Sequence, residues 1–355
     1  MKKQLLLLLS LLVLSISSFT APGSIQDNIE KKDGMIVVAN KSGHNIHLIN
    51  ARTGKIIKEL PTGYAPHEVE VSDGGNWAVV SNYGDREKPG NTLSVYNLKT
   101  QSLDKTIDLG EHTLPHGMDW IKGTQKLLVT TEGNNTILVV DVVKGKIEQT
   151  WETDQGISHM VVAAPEANRA FVSSIKTGDV TVFNLNTGNI EKQVHSGKGA
   201  EGLDVSPGGK ELWVTNRGEN TISIFNTQTL EKIEKIDCGA FPIRAKFSPD
   251  GKYFVVSNAE SGHVNVFNAN SRALIKRIKL RPPVPEGRNK ERYFADFEGS
   301  SVPIGLVVPD NRTAYVANTH ADVVTVIDLE KLTIVEHLEA GKEPDGINFT
   351  QVVSK

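Results

Sequence analysis

The most regular pattern in the chain is a short apolar segment that ends in a small or polar residue. It recurs seven times, as MIVVAN at 35–40, WAVVSN at 77–82, LLVTT at 127–131, AFVSS at 170–174, LWVTN at 212–216, FVVSN at 254–258 and AYVAN at 314–318. β-branched and aromatic residues bounded by Gly, Pro, Asn and Asp predict β-strands. The last residues of successive copies lie 42, 49, 43, 42, 42 and 60 positions apart. This spacing predicts a repeated unit of about 42 residues, with insertions in two copies.

Each repeated unit has the pattern of four strands. After the segment at 170–174 come the alternating strand DVTVFN at 179–184, then IEKQVH at 190–195 and GLDVS at 202–206. No stretch carries a sustained helical period. Four antiparallel strands in each of seven units predict an all-β fold, a seven-bladed β-propeller. The last unit ends in DGINFT at 345–350, a strand type that the first unit lacks, so we expect the C-terminal strand to pair with the N-terminal blade and close the ring.

The N-terminal residues follow a different pattern. Two lysines at 2–3 precede an apolar run from Leu5 to Ile16, and small residues follow up to Ala21. This order is typical of a secretory signal peptide, and the run is shorter than the ~20 apolar residues of a membrane span. We expect a signal peptide at 1–21, a flexible leader at 22–34 and a propeller at 35–355 in the periplasm, outside the cell or on its surface. An uncleaved membrane anchor is the alternative, and no later segment is expected to span a membrane.

Charge and cysteine content narrow the function classes. The 355 residues include 39 basic and 42 acidic ones, a formal net charge of −3, which argues against a nucleic-acid partner bound by bulk charge. Cys238 is the one cysteine of the sequence, which excludes an internal disulfide framework and a multi-cysteine metal site. No histidine accompanies it in its own motif, so we expect a packed thiol.

The start of the innermost strand of each blade is expected to face the central channel of the propeller. Aligning the seven units puts one residue of each at this position: His67, His116, His159, Glu201, Ile243, Ile304 and Asp345. Around the closed ring they read Asp, His, His, His, Glu, Ile, Ile. Five polar side chains are therefore predicted to stand side by side at the channel mouth.

Imidazoles beside a carboxylate indicate a metal site or a proton-transfer site. Such ligands suit a divalent transition metal, and the candidate ligands are His67, His116, His159 and Glu201. Glu201 is also the candidate general base, with Arg244 as the other candidate catalytic residue. The alternative is a solvated channel mouth in which the histidines hydrogen-bond to loop carbonyls.

Two arginines are predicted near the same mouth. Arg244 follows Ile243, and Arg217 lies in a turn whose equivalent position two units earlier is Glu132. Guanidinium groups beside a polar cluster suit a small anionic ligand, and surface ion pairs are the alternative. The predicted binding set at the mouth consists of His67, His116, His159, Glu201, Asp345, Arg217 and Arg244. Both insertions, at 83–90 and 281–303, are predicted on this face, where the aromatic segment 293–297 favours an ordered lid or a docking element, and a solvated loop is the alternative.

The repeated segments carry a family resemblance. Tyr315-Val-Ala-Asn318 and Trp213-Val-Thr-Asn216 resemble the YVTN repeat of bacterial and archaeal surface and periplasmic propellers. The resemblance spans about 35–350 and implies an extracytoplasmic propeller. More weakly, the Pro-His pairs at 66–67 and 115–116 are similar to those of seven-bladed lactonases, and the architecture resembles that of streptogramin lyase. Both families open rings with polar groups at the channel mouth, but the full lactonase constellation is not matched residue by residue.

Two classes of function stay open. The favoured one is a binding or scaffold propeller that presents its insertion-rich face to an envelope protein, a glycan or a small anionic ligand. The other is a metal-dependent or acid–base enzyme of lactonase or lyase type, or a propeller that holds a cofactor such as haem, although the sequence has no Cys-x-x-Cys-His motif for covalent haem. Imidazole nitrogens of His67, His116 and His159 that point inward to a common point with Glu201 would favour the second class. Imidazole nitrogens that point into loop carbonyls would favour the first.

Overall fold

The chain folds into the seven-bladed β-propeller expected from the repeats. The computed structural model describes residues 32–283, 296, 297, 299 and 301–353. Within these residues, 28 strands form seven four-stranded antiparallel sheets, and one 3₁₀ turn spans Pro165–Ala167. No helix in these ranges is both long and apolar enough to cross a membrane. The predicted signal peptide at 1–21 and most of the predicted leader lie outside the described residues.

Blades are numbered in chain order, and each is given from its innermost to its outermost strand. Blade 1 consists of β28 (Pro344–Thr350), β1 (Met35–Asn40), β2 (Asn45–Asn50) and β3 (Ile56–Pro61). Blade 2 consists of β4 (Pro66–Val71), β5 (Trp77–Gly84), β6 (Pro89–Asn97) and β7 (Ser102–Asp108). Blade 3 consists of β8 (Pro115–Trp120), β9 (Lys126–Thr131), β10 (Thr136–Asp141) and β11 (Lys146–Glu152). Blade 4 consists of β12 (Ser158–Ala164), β13 (Arg169–Ser174), β14 (Asp179–Asn184) and β15 (Ile190–His195).

The other three blades repeat this order. Blade 5 consists of β16 (Ala200–Val205), β17 (Glu211–Asn216), β18 (Thr221–Asn226) and β19 (Lys232–Asp237). Blade 6 consists of β20 (Pro242–Phe247), β21 (Tyr253–Asn258), β22 (His263–Asn268) and β23 (Leu274–Lys279). Blade 7 consists of β24 (Pro303–Val307), β25 (Thr313–Asn318), β26 (Val323–Asp328) and β27 (Thr333–Glu339). The innermost strands of successive blades contact one another around the whole ring and line the channel.

Ring closure by the C-terminal strand is confirmed. Strand β28 pairs antiparallel with β1, with Ile347 opposite Val38 and Phe349 opposite Ile36. These four side chains belong to one buried apolar cluster that also contains residues of blade 7. The closure therefore hides the edge of β1 and joins the two ends of the chain through the core.

Two recurring polar contacts explain the turn residues of the repeat. The third and fourth strands of every blade are joined by a turn whose first residue is Asn or Asp, and the side chain of this residue accepts the N–H three residues ahead. These residues are Asn50, Asn97, Asp141, Asn184, Asn226, Asn268 and Asp328. In five blades the repeated segment of the second strand ends in a buried asparagine, and Asn82 ties down the preceding interblade loop by accepting the Gly63 N–H at 2.9 Å. Both contacts fix the register of a blade.

The two insertions differ in how much of them the structure describes. Residues 83–90, predicted as an insertion, lengthen the hairpin of blade 2, so that Gly84 pairs with Pro89. Of the insertion at 281–303, residues 284–295, 298 and 300, which include most of the aromatic segment 293–297, lie outside the described residues. Phe297 packs edge-on against Phe241, with ring centroids 5.0 Å apart.

Candidate functional site

The seven residues aligned from the sequence occupy one structural position. Each is the second residue of the innermost strand of its blade, and none is more than 5% exposed. In six blades the residue two positions earlier has a left-handed backbone conformation: Ala65, Leu114, Ile157, Gly199, Phe241 and Glu343. The hydrogen-bond register also shifts at the start of each innermost strand. This repeated local geometry brings the seven side chains to the same level of the channel.

His159 is held between two carboxylates. Its Nδ1 lies 2.5 Å from Glu132 Oε1, and its Nε2 lies 2.5 Å from Glu201 Oε1. Burial alone would lower the pKa of His159, but the two carboxylates outweigh burial and raise the pKa above the ordinary value. His159 is therefore an imidazolium that donates from both ring nitrogens.

Three cationic side chains contact Glu201. Besides His159, Arg217 Nη1 lies 2.9 Å from its Oε2, and Arg244 Nη1 lies 2.9 Å from its Oε1. Burial favours the neutral acid, but these charges lower the pKa of Glu201 to about 2. Glu201 is thus ionised, with both carboxylate oxygens engaged by His159 and the two arginines, and the general-base role that the sequence suggested for it stays a prediction.

A second histidine–carboxylate pair lies on the other side of the ring. His67 Nδ1 is 2.6 Å from Asp345 Oδ2, and Lys41 Nζ is 3.7 Å from the same oxygen. Burial would raise the pKa of Asp345, but His67 and the nearby cations lower it. Burial lowers the pKa of Lys41, although the surrounding carboxylates oppose that shift.

His116 stands between the two pairs. Its ring centroid is 4.2 Å from that of His67 and 3.9 Å from that of His159. Its Nε2 is 4.0 Å from Glu132 Oε1, and its buried Nδ1 has no hydrogen-bond partner in the described part of the chain. Burial, the two neighbouring histidines and the charge of Arg244 hold the pKa of His116 well below its ordinary value. His116 is therefore a neutral imidazole beside a charged one.

The histidines open onto a cavity of about 360 Å³ that a second position of the repeat helps to line. The residue after the small or polar end of the second strand lines this cavity in five blades: Lys41, Tyr83, Glu132, Ile175 and Arg217. Tyr83 donates its hydroxyl to Glu132 Oε2 at 2.6 Å. Sequence reasoning identified Arg217 and Glu132 at this position and overlooked Lys41 and Tyr83, although aligning this position across all repeats reveals them.

Arg244 does not line the cavity. It lies one residue deeper in the channel than Ile243, is 6% exposed, and contacts Glu68 of blade 2 as well as Glu201. Glu68 is a further residue that the sequence did not point to. The two channel isoleucines, Ile243 and Ile304, pack in an apolar cluster and form the nonpolar side of the mouth.

Two overlapping groups in the described residues have donor atoms close enough to hold a metal ion. They are His67, Glu68 and His116, and His116, Glu132 and His159, with donor atoms within 4.8 Å of one another in each group. Glu201 belongs to neither group. Each of the three predicted histidines belongs to at least one group, and metal binding by the predicted set stays a prediction.

A polar cluster lines the channel beyond Arg244. Glu70, Asp119 and Asp204 surround Lys246, each of the four lying three residues after a channel-start residue. Burial raises the pKa of Glu70 to about 8 and that of Asp119 to about 6. The cluster is separated from the histidines by the level that contains Arg244.

Cys238 is a packed thiol. Its Sγ donates to Asn258 Oδ1 at 3.3 Å, and burial raises its pKa to about 12. Such a thiol is not a nucleophile at neutral pH.

Comparison with known proteins agrees with this architecture. The profile of the family described as "Lactonase, 7-bladed beta-propeller" matches residues 29–289. The chain belongs to this family. A search of curated proteins found no match to the chain.

Solved structures share the family fold at low sequence identity. A functionally unknown protein from Desulfotomaculum acetoxidans is 16% identical with a TM-score of 0.73, over 90% of this chain and 99% of that one. Hydrazine synthase from Kuenenia stuttgartiensis is 17% identical with a TM-score of 0.67, over 88% of this chain and 99% of that one. At these identities the likeness concerns the fold alone.

Proposed function

We propose that this protein is a hydrolase that opens a small lactone by acid–base catalysis at the histidine ring. The observation that carries the proposal is the pair His116 and His159, whose rings lie 3.9 Å apart and whose pKa values are shifted in opposite directions. Two neighbouring histidines whose pKa values are shifted in opposite directions provide a proton acceptor beside a fixed positive charge. Membership of the lactonase family supports the choice of reaction.

His116 is the proposed general base. As a neutral imidazole at the cavity wall, it would take a proton from water while the water oxygen bonds to the lactone carbonyl carbon. The ring C–O bond then breaks, and the alkoxide that leaves takes the proton back from His116. The net reaction is lactone plus water to hydroxy acid, with no other reactant.

Lys41 and Arg217 are the proposed electrostatic partners of the reaction. Both side chains line the cavity, where they can oppose the negative charge that develops on the carbonyl oxygen. His159 has both nitrogens engaged by carboxylates, so its role is to hold Glu132 and to keep His116 neutral through its charge. A small anionic substituent on the lactone would fit the same cationic side chains.

The experiment is hydrolysis of a panel of small lactones of different ring size and charge, followed by proton release. We expect H116Q to lower kcat by roughly 10²–10⁴-fold, which is the usual contribution of a general base. H195Q is the matched control, because His195 is an exposed histidine paired with Asp179 away from the cavity. The proposal fails if the wild type hydrolyses no lactone, or if H116Q is as active as H195Q.

A transition-metal site is the second candidate, favoured by the unpartnered Nδ1 of buried His116 within both possible ligand groups. A metal in the group that contains His159 would first have to displace the proton from that imidazolium. Metal analysis of the purified protein tests this candidate. About one equivalent of metal that is lost in H116Q and kept in H195Q would support it, and a metal-free protein active on lactones would exclude it.

We also propose that the protein is exported from the cytoplasm. Cleavage after Ala21 and YVTN-type repeats would place the protein in the periplasm or at the cell surface. Intact-mass analysis of protein recovered from the cell envelope tests the cleavage. If the protein hydrolyses no lactone, we propose instead the function favoured from the sequence. This is a binding or scaffold role toward an envelope protein or glycan.

A further inference from the structure

One ion pair spans the channel beneath the histidine ring. Arg244 of blade 6 directs its guanidinium at Glu68 of blade 2, with Nε 3.1 Å from Oε1 and Nη2 bound to the same oxygen. Its Nη1 binds Glu201 of blade 5 at 2.9 Å. Glu68 is 9% exposed and Glu201 is 1% exposed, so the whole group is buried. One side chain thereby connects three blades.

The innermost strands of neighbouring blades lie close together at the level of Arg244, and the sequence explains this close approach. The residue after the channel-start residue is glycine in four blades: Gly117, Gly202, Gly305 and Gly346. A Cβ atom added to any of them would lie within 1.9–2.6 Å of the carbonyl oxygen of the channel-start residue of the next blade. The innermost strands therefore approach one another closely, and the remaining three blades supply Glu68, Met160 and Arg244.

The contacts separate the roles of the two arginines that hold Glu201. Arg217 lines the cavity and can face a substrate, whereas Arg244 is outside the cavity lining and has its guanidinium engaged by Glu68 and Glu201. The planar guanidinium holds two carboxylates in fixed directions, which the point charge of a lysine does less well.

We propose that Arg244, braced by Glu68 from across the channel, is a positioning residue that fixes Glu201 against Nε2 of His159. It contacts no substrate, and its effect on His116 passes through Glu201 and His159. Only the kinetic part of this inference rests on the proposed lactone hydrolysis. The hydrogen bond between Glu201 and His159 can be measured in the resting protein.

The test is a comparison of the two imidazolium N–H protons of His159 by NMR. Both hydrogen bonds of His159 are 2.5 Å long, and protons in hydrogen bonds this short give signals far downfield. The two signals are assigned with variants: both should vanish in H159Q, and E132Q should move the signal of the Nδ1 proton. In R244M we expect the Nε2 proton to shift or broaden, because Glu201 loses its brace, while the Nδ1 proton bound to Glu132 stays in place. R272M is the matched control, since Arg272 of blade 6 also binds two glutamates, Glu211 and Glu234 of blade 5, but lies outside the channel.

Each outcome decides the inference. Two unchanged signals in folded R244M would overturn it. If R244M does not fold, E68Q decides, because it removes the charge of the brace with little change in shape, and an unchanged Nε2 proton there would also overturn it. Where the wild type hydrolyses a lactone, kcat of R244M should fall roughly tenfold to a hundredfold with little change in KM. An inactive wild type would contradict the proposed function. The positioning role of Arg244 would then be tested by the NMR signals alone.

Discussion

At the scale of single residues, the site depends on how carboxylates are distributed among three histidines. His159 has a carboxylate on each ring nitrogen, and His67 has one 2.6 Å from its Nδ1. Among the residues that the structure describes, His116 has none closer than 4.0 Å. Three imidazoles in contact cannot all be charged in a buried ring. The surroundings assign the charge to His159 and leave His116 neutral, which is the state that a general base needs.

The activity should therefore have a bell-shaped dependence on pH. Acidification protonates His116, whose pKa lies well below 6.5, so the low-pH limb should lie below pH 6.5. The high-pH limb should lie above pH 6.5, where His159 loses the proton that its carboxylates hold. The measurement is kcat/KM against pH, because this quantity reports the groups of the free enzyme.

H159Q separates the two histidines. Removing the charge of His159 removes one cause of the low pKa of His116, so the low-pH limb should move upward. NMR titration of His116 checks the shift without any substrate. An unmoved His116 pKa in folded H159Q would contradict the assignment of the charge to His159.

The residues of the ring could be predicted from the sequence because a repeat fixes equivalent positions. Aligning the units was enough to bring His67, His116, His159, Glu201 and Asp345 to one level. The pairing among them was not predictable, because it depends on side chains that reach between blades. For this reason the sequence offered Glu201 as a base and Arg244 as a catalytic residue without the ion pairs that Arg244 forms with Glu201 and Glu68, and both catalytic roles stay predictions.

At the scale of the strand, the decisive feature is the close approach of the innermost strands. Gly305 of β24 backs directly onto β28, where an added Cβ would lie 1.9 Å from the carbonyl oxygen of Asp345. A backbone oxygen cannot rotate away as a side chain can. The glycine is therefore required by the neighbouring strand, since its own backbone conformation is not left-handed.

G305A should accordingly destabilise the propeller by about 1–3 kcal/mol, as overpacking does in other cores. G74A is the matched control, because Gly74 is exposed and its nearest neighbour would be the end of the Asn76 side chain at 3.3 Å. Denaturant unfolding of both variants provides the measurement, with G74A expected within about 0.5 kcal/mol of the wild type. Equal stability of G305A and G74A would show that the strands can separate at this level.

At the scale of the whole molecule, the fold follows from the sequence more completely than the function does. Four short strands per unit, a fixed period and a last unit that completes the first leave one closed arrangement, which the structure confirms. The fold does not determine the chemistry, because all seven blades offer the same positions and the side chains that line the cavity differ from blade to blade. The sequence predicted the insertion at 83–90 but not the extended hairpin that it forms, in which Asp85 accepts the N–H groups of Glu87 and Lys88.

Closure by β28 is the property on which the whole ring depends. Deleting residues 344–355 would expose the edge of β1 and remove Ile347 and Phe349 from the core between blades 7 and 1. We expect the shortened chain to lose cooperative thermal unfolding and to aggregate through the open edge. Deleting residues 353–355, which follow β28, is the control and should leave the melting temperature nearly unchanged. If the chain without residues 344–355 is soluble and unfolds cooperatively, the prediction is wrong. Six complete blades would then hold the ring together without pairing between β28 and β1.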